Sequence, residues 1–269
     1  MAVDGPRNKG LGARGEGDDH LKVLIAGGSG NVATWTVPYM QSGHEFRVLD
    51  LVPPRVEGVE FLQGSITDPE AVREALDGVD SFINMVMKSP TASNSREHTV
   101  QDILDNYLVN TMGLHVLLKT AHELGIMAGV HTSTFTVHDR QRTWYASEEE
   151  VPLDNPGLYG LTKGFGEQIC RYFCREFGMS IVALRLTGPR DRAGWIEGRK
   201  IPKDDARHLW VTDEEDMAAA YLAALKIAVS RRGRYDAVFL AGDENEEEVN
   251  LSKGRQLLGW EPRTHLKVD

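Results

Sequence analysis

The sequence predicts an α/β fold built on a doubly wound parallel sheet. Three observations carry that expectation. Short apolar runs alternate with helix-length segments from Lys22 to Leu186, a Gly-rich turn joins the first run to the first helix, and turn residues fall between the runs rather than inside them. The 269 residues, 41% hydrophobic and 26% charged, suit one large domain or one domain with a small appendage.

Taken in order, KVLIA (22–26) reads as a first strand, and the chain after Gly27-Gly28-Ser29-Gly30 reads as helix to about Ser42. FRVLDL (46–51) and Val59–Leu62 read as the next two strands. DPEAVREAL (68–76) carries helix start signals, with Asp68 as N-cap, Pro69 in the first turn and Glu70 beside it. DSFINMVM (80–87) is a buried strand, Val100–Leu124 one long helix, GVHTST (129–134) a strand, Tyr159–Phe177 a helix and SIVALRL (180–186) a further strand. Beyond Pro189 the regularity fails. Asp191–Lys203 reads as a loop, Glu214–Ser230 as helix, Tyr235–Leu240 as strand, Asp243–Glu248 as an acidic loop and Leu251–Leu258 as a last short helix. The organisation this implies is a tail (1–20), a nucleotide-binding region (21–189) and a small C-terminal substrate-binding region (190–269).

Composition excludes several classes of function. A net charge of -10 leaves no basic surplus for nucleic acid, and no apolar run approaches the roughly 18 residues of a membrane span. The two cysteines, Cys170 and Cys174, stand four apart in a helical segment and read as core residues of a reduced, cytoplasmic protein. The nine histidines are scattered without ligand spacing, so no metal is expected. Residues 1–20, Gly-rich and charged with no apolar h-region, read as a flexible tail rather than a secretory signal.

The Gly cluster has a specific physical use. Gly27-x-x-Gly30-x-x-Ala33 and Gly28-x-Gly30-x-x-Ala33 both sit between a strand and a helix, where backbone N–H groups and the helix N-terminus favour a pyrophosphate. Asp50 ends the next strand, where a carboxylate accepts hydrogen bonds from ribose hydroxyls and repels a 2′-phosphate. The cofactor expected is therefore NAD on a Rossmann-type sheet, with Arg55 close to the same position. Asn31, Val32, Ser65, Ile66 and Met85 are further cofactor-lining candidates.

Tyr159 and Lys163 lie four apart on one helix face. A phenol with a reference pKa of about 10 is a poor base near neutrality unless a nearby cation stabilises its phenolate. Lys163 and a bound nicotinamide are placed to do so. Thr134 ends the strand at the same edge of the sheet, where its hydroxyl can hold a substrate oxygen while Tyr159 removes the proton.

With these motifs together, the run from Lys22 to Pro189 resembles the extended short-chain dehydrogenase/reductase (NAD-dependent epimerase/dehydratase) family. The resemblance implies a proton-relay role through the lysine for Asn110 in YLVNTMG. Two departures appear in the cofactor half, Ser65 where the family commonly has Asp, and Asn84-Met-Val-Met87 where it has smaller residues. Within the family, LYGLTKGFGEQ (158–168), the stretch Pro202–Arg207, WVTDEEDM (210–217) and LLGWEP (257–262) resemble the uronate dehydrogenase branch. That resemblance assigns Arg207 to the carboxylate of a sugar acid and Ser89, Phe135 and Thr136 to substrate contacts. Phe135 and Thr136 replace the branch's Asn and His, and Gly188 stands where it has serine. The expected function is NAD-dependent oxidoreduction at a hydroxyl carbon of a small, carboxylate-bearing sugar by a homodimer or higher homo-oligomer. The rival readings are a nucleotide-sugar epimerase or dehydratase and a non-catalytic NAD-binding regulator.

Overall fold

The computed structural model describes residues 20–92 and 94–268, so the expected tail of residues 1–20 lies outside it apart from His20. The elements follow one another as β1 (Leu21–Ala26), α1 (Asn31–Met40), β2 (His44–Asp50), β3 (Glu60–Gln63), α2 (Pro69–Leu76) and β4 (Ser81–Asn84). Next come α3 (Val100–Tyr107), a π-helical turn (Leu108–Gly113), α4 (Leu114–Glu123), β5 (Ala128–Thr134), α5 (Leu158–Phe177) and β6 (Ser180–Leu186). The chain closes with α6 (Arg192–Arg199), α7 (Glu214–Ser230), β7 (Tyr235–Leu240), a second π-helical turn (Gly254–Leu258) and α8 (His265–Val268).

The seven strands form one sheet in the order β3-β2-β1-β4-β5-β6-β7, every pair parallel. This is the doubly wound order, with the reversal between β1 and β4 opening a crevice at the carboxyl ends of the strands. Side chains alternate across the sheet. Val23 and Ile25 join Val37 of α1 and Met217 and Tyr221 of α7 in one core. Leu24 and Ala26 join Val72 of α2, Leu117 of α4 and Phe173 of α5 in the other. Strands buried on both faces are why the sequence shows apolar runs rather than alternation. Residues 190–268 supply β7 to the sheet edge and α7 to its α1 face, so they share the same core.

Local rules account for the helix ends. Asp68 caps α2 by accepting from Glu70 N at 3.0 Å and Ala71 N at 3.4 Å, as its position implied. Two expectations need correction. The segment Asp191–Lys203 is not all loop, because Asp191 caps α6 through Gly194 N at 2.8 Å and Trp195 is buried against the fold. Val100–Leu124 is not one regular α-helix, because the turn Leu108–Gly113 is π-helical. A Cβ on Gly113 would lie 2.6 Å from Ile66 Cγ2, so this turn passes against the loop after β3. No helix among the described residues is long and apolar enough to cross a membrane.

Candidate active site

The cofactor end begins at the Gly-rich turn. Gly27 has φ +84°, and a Cβ there would lie 2.7 Å from Val86 N, so both its conformation and the neighbouring backbone require glycine. At Gly28 a Cβ would sit 2.6 Å from Val48 Cγ2. No side chain caps the N-terminus of α1, which leaves the first-turn N–H groups available to an anion. Asp50 braces the turn. Its Oδ2 accepts from Ser29 N at 2.9 Å and its Oδ1 from Leu51 N at 2.7 Å. Asn31 is exposed at the start of α1 and accepts from Arg55 at 2.8 Å, while Val32 is half-buried behind it. The cradle thus fits a dinucleotide: backbone donors without a side chain in the way, and a carboxylate at the adjacent strand end.

The remaining cofactor candidates separate. Met85 is buried and continues the β1 ladder through its N–H to Ala26 O at 2.8 Å, so it borders the Gly-rich turn. Ile66 is buried against Gly113. Ser65 does not present a free hydroxyl, because its Oγ is 2.8 Å from Thr67 Oγ1 and also accepts from Thr67 N.

The chemical end lies on β5 and α5. The helix reaches the strand by close approach, since a Cβ on Gly160 would meet Thr136 O at 2.2 Å. That contact brings half-buried Tyr159 close enough to Thr134 for the threonine side chain to favour the phenolate. Burial pushes the Tyr159 phenol up to about 12, against the downward pull of Thr134. Lys163 is buried one turn further on, its Nζ donating to Thr132 O at 2.6 Å. Burial brings the Lys163 ammonium down to about 8. The ammonium is thus held by the β5 backbone one turn from the phenol. The phenol is the protonated form near neutrality.

Asn110 is buried in the π-helical turn. Its Nδ2 donates to Lys88 O at 2.8 Å and to Thr162 Oγ1 at 3.0 Å, and its Oδ1 accepts from Lys88 N at 2.8 Å. The amide therefore pins the segment after β4 to α5. Ser89, next to the pinned residue, is exposed.

The substrate candidates are divided likewise. Thr134 is in place. The half-buried Phe135 ring packs at 4.4 Å from Tyr145 and 5.2 Å from Phe239 in an aromatic cluster. Thr136 is half-buried, its N–H bonded to Thr134 Oγ1 at 3.1 Å. Arg207 is exposed over 79% of its side chain, and its guanidinium pairs with Asp205 at 2.7 Å. A carboxylate two residues away neutralises it locally.

Sequence reasoning missed the polar layer beneath the site. Buried Glu167, four residues after Lys163, accepts from buried Ser133 Oγ at 2.6 Å and Arg185 Nη2 at 2.7 Å and from half-buried Tyr235 OH at 2.9 Å. Arg185 also donates to Glu148 O at 2.9 Å and to His138 Nε2 at 3.2 Å. His131 is buried beside Asn84, 3.2 Å between Nδ1 and Nδ2, and burial, with the charge of Lys163, holds it neutral. The signal was available: Arg185 is a charged residue inside an otherwise apolar strand. No cluster of three or more metal-ligating side chains occurs among the described residues, and Cys170 and Cys174 are buried free thiols.

A doubly wound sheet with a glycine cradle at β1 and a Thr-Tyr-Lys constellation at β5 and α5 defines an NAD-dependent oxidoreductase scaffold. The chain belongs to the NAD-dependent epimerase/dehydratase family, whose model matches residues 23–203. It carries that family's dehydrogenase/reductase machinery with NAD as cofactor. It is 31% identical to the uncharacterized protein y4nG of Sinorhizobium fredii over 76% of this chain, and spans 53% of that protein's length. It is 24% identical to the L-arabinose 1-dehydrogenase (NAD(P)(+)) of Haloferax volcanii, over 90% of this chain and 96% of the relative. Among solved structures it superposes on the glucuronic acid dehydrogenase of Chromohalobacter salexigens with a TM-score of 0.71 at 22% identity. That match covers 90% of this chain and 84% of the other, a likeness of fold.

Proposed function

We propose that the protein is an NAD-dependent dehydrogenase oxidising a hydroxyl carbon, the hemiacetal C1 by preference, of a small sugar bearing a carboxylate. The observation that carries this is the juxtaposition of Thr134 and Tyr159 beside buried Lys163, on the same strand-end edge as the Gly27–Gly30 cradle. The full-length likeness to an aldose 1-dehydrogenase supports the sugar C1, and the uronate dehydrogenase-like motifs support the carboxylate.

When bound, NAD supplies a hydride acceptor for the carbon that carries the hydroxyl. The protein's own residues handle the proton. Thr134 Oγ1 holds the substrate oxygen, and Tyr159 Oη, once ionised, takes the hydroxyl proton. Ionisation of a phenol raised to about 12 needs added positive charge, which Lys163 provides on leaving Thr132 O and the oxidised cofactor reinforces. Asp50 favours NAD by repelling a 2′-phosphate. Phe135-Thr136 offers no acidic pair after Thr134, which sets the chain apart from a dehydratase mechanism.

The same reading includes assembly as a homodimer. Val100, Leu104, Tyr107 and Met112 on the α3 side and Leu161, Phe165 and Tyr172 on α5 are all exposed, and the rings of Tyr107 and Phe165 stand 6.2 Å apart. They form one apolar face that a second copy would cover.

The test is to mix the protein with NAD and a panel of uronates, aldoses and hydroxy acids and to follow NADH absorbance. Turnover of a sugar acid, lost in Tyr159→Phe with NAD affinity retained, is the expected result. Activity retained in Tyr159→Phe rejects the catalytic assignment, and tight NAD binding with no turnover of any substrate favours a regulator.

A further inference from the structure

Six cationic side chains lie between residues 190 and 207, and the structure neutralises five of them. Arg192 pairs with Asp213, Arg199 with Glu244, Lys200 with Glu197, Lys203 with Glu247 and Arg207 with Asp205. Arg190 is different. Among the described residues its guanidinium has no carboxylate partner, and its recorded bond is from Nη1 to the carbonyl of Pro189 at 2.8 Å. It is half-buried nonetheless. Its remaining N–H donors are open to solvent rather than spent on the fold, and so are free to take an anion that enters from solution.

Its place in the fold gives that anion an identity. β6 ends at Leu186, in register with Thr134 on β5, and Arg190 follows four residues later on the loop beyond that strand end. Ligands of open parallel sheets bind at this edge. The loop is held rather than loose. Arg190 N donates to Thr212 O at 3.0 Å, Thr212 N to Gly188 O at 3.2 Å, and Pro189 bridges to Thr212. Gly188 takes φ +47°, and a Cβ on it would lie 3.2 Å from Val211 Cγ1, so the 209–212 run packs directly on the loop. That run and its approach also hold two buried polar atoms without partners, His208 Nε2 and Trp210 Nε1. This corner therefore carries more hydrogen-bonding capacity than the fold itself consumes.

We propose that Arg190, rather than Arg207, receives the carboxylate of the substrate through its planar guanidinium fork. The proposal rests on the acidic-sugar reading above and makes it specific. A bidentate pair to a carboxylate uses the two-donor geometry that a lysine lacks. Arg207 would first have to give up Asp205 to do the same.

The experiment compares kcat/KM for D-glucuronate and D-glucose, at saturating NAD, in the wild type and in Arg190→Ala, Arg190→Lys and Arg207→Ala. The wild type should prefer glucuronate. Arg190→Ala should lose about 100-fold on glucuronate, mainly through KM, with glucose unchanged, as expected for two charge-assisted hydrogen bonds. Arg190→Lys should lose about tenfold, because the charge stays and the fork does not. Arg207→Ala should stay within about threefold, as an exposed locally paired residue does. Calorimetric NAD affinity checks that each variant is folded, and Arg190→Met replaces the alanine variant if that one is not. Loss on glucuronate in Arg207→Ala but not in Arg190→Ala overturns Arg190 and keeps the acidic substrate. Equal loss on both sugars in Arg190→Ala also overturns it, since that marks a structural role. A wild type with no preference for the acid overturns both. If neither sugar turns over, calorimetric binding of glucuronate to the NAD-loaded protein is read in the same way, and absence of binding overturns both.

Discussion

Arg185→Ala tests the buried layer that supports the catalytic helix. Arg185 and Glu167 are both fully buried, joined by two bonds of 2.9 Å and 2.7 Å, and Arg185 also satisfies the carbonyl of Glu148. Removing the guanidinium strands a carboxylate where water does not reach, a change that costs about 3–5 kcal/mol. At roughly 2–4 °C per kcal/mol for a chain of this size, the melting point should fall by about 6–20 °C. Replacing both partners, as Arg185→Met with Glu167→Met, strands no charge, so the double variant should be more stable than the single one by about 2 kcal/mol. The acid limb separates charge from packing. Burial alone would raise the Glu167 carboxyl, yet Arg185, Ser133 and Tyr235 hold it below the usual glutamate value. Its stabilising contribution is therefore complete above the unfolded value of about 4.3 and is lost as pH falls through the lower folded value. In Arg185→Ala the folded value rises, so the deficit against wild type should shrink on acidification as the stranded carboxyl takes up a proton. Urea unfolding followed by circular dichroism from pH 4 to 8 measures all of this. A single-variant loss under about 1 kcal/mol, or a double variant as unstable as the single, would refute the reasoning.

Two further outcomes follow from the site and its surface. Burial lowers Lys163 to about 8, so between that value and the unfolded value of about 10.4 the unfolded chain binds the extra proton. Wild-type stability should therefore gain on Lys163→Met as pH rises from 8 to 10, measured as the difference between their urea midpoints; a difference independent of pH removes the assignment. For assembly, Phe165→Lys should convert a dimer to a monomer by sedimentation equilibrium while leaving the circular dichroism spectrum unchanged, and a wild type that sediments as a monomer rejects the interface.

The fold was legible in the sequence because a two-sided parallel sheet leaves a coarse signal. Apolar runs, the Gly27–Gly30 turn and the Asp68 cap each depend on neighbours within a few residues, so local pattern suffices. What stayed hidden depends on distant partners. The segment RAGWIEGR carries two glycines and little helical propensity, and α6 exists because Asp191 caps it and Trp195 finds a buried seat. The π-helical turn at Asn110 coincides with bonds to Lys88, 22 residues earlier, and Thr162, 52 residues later. The site follows the same division. Thr134 and Tyr159 meet because Gly160 admits the Thr136 carbonyl, and the glycine was visible. The partner that takes Lys163 is a main-chain carbonyl, which no side-chain pattern announces. Arg207 was read from resemblance although Asp205 stood two residues away, and that neighbour decides where its charge goes.

The helix α5 shows why chemistry and stability are coupled in this chain. Tyr159, Lys163 and Glu167 fall at successive i,i+4 positions, so one stripe carries the phenol, the ammonium and the carboxylate into the fold. This polar stripe occupies the first half of the helix, while Cys170, Phe173 and Cys174 bury its second half in the core. The first half is seated in two ways. Gly160 and Gly166 let the helix lie close to β5 and to the π-helical turn, and the Arg185–Glu167 pair ties its middle to β6. Its outward side then bears Leu161, Phe165 and Tyr172, apolar groups that stay exposed in one copy. Burying them against a second copy would add stabilisation from outside. A helix that carried leucine at 167 would lose the anchor that sets Ser133, and with it Thr134, against the phenol.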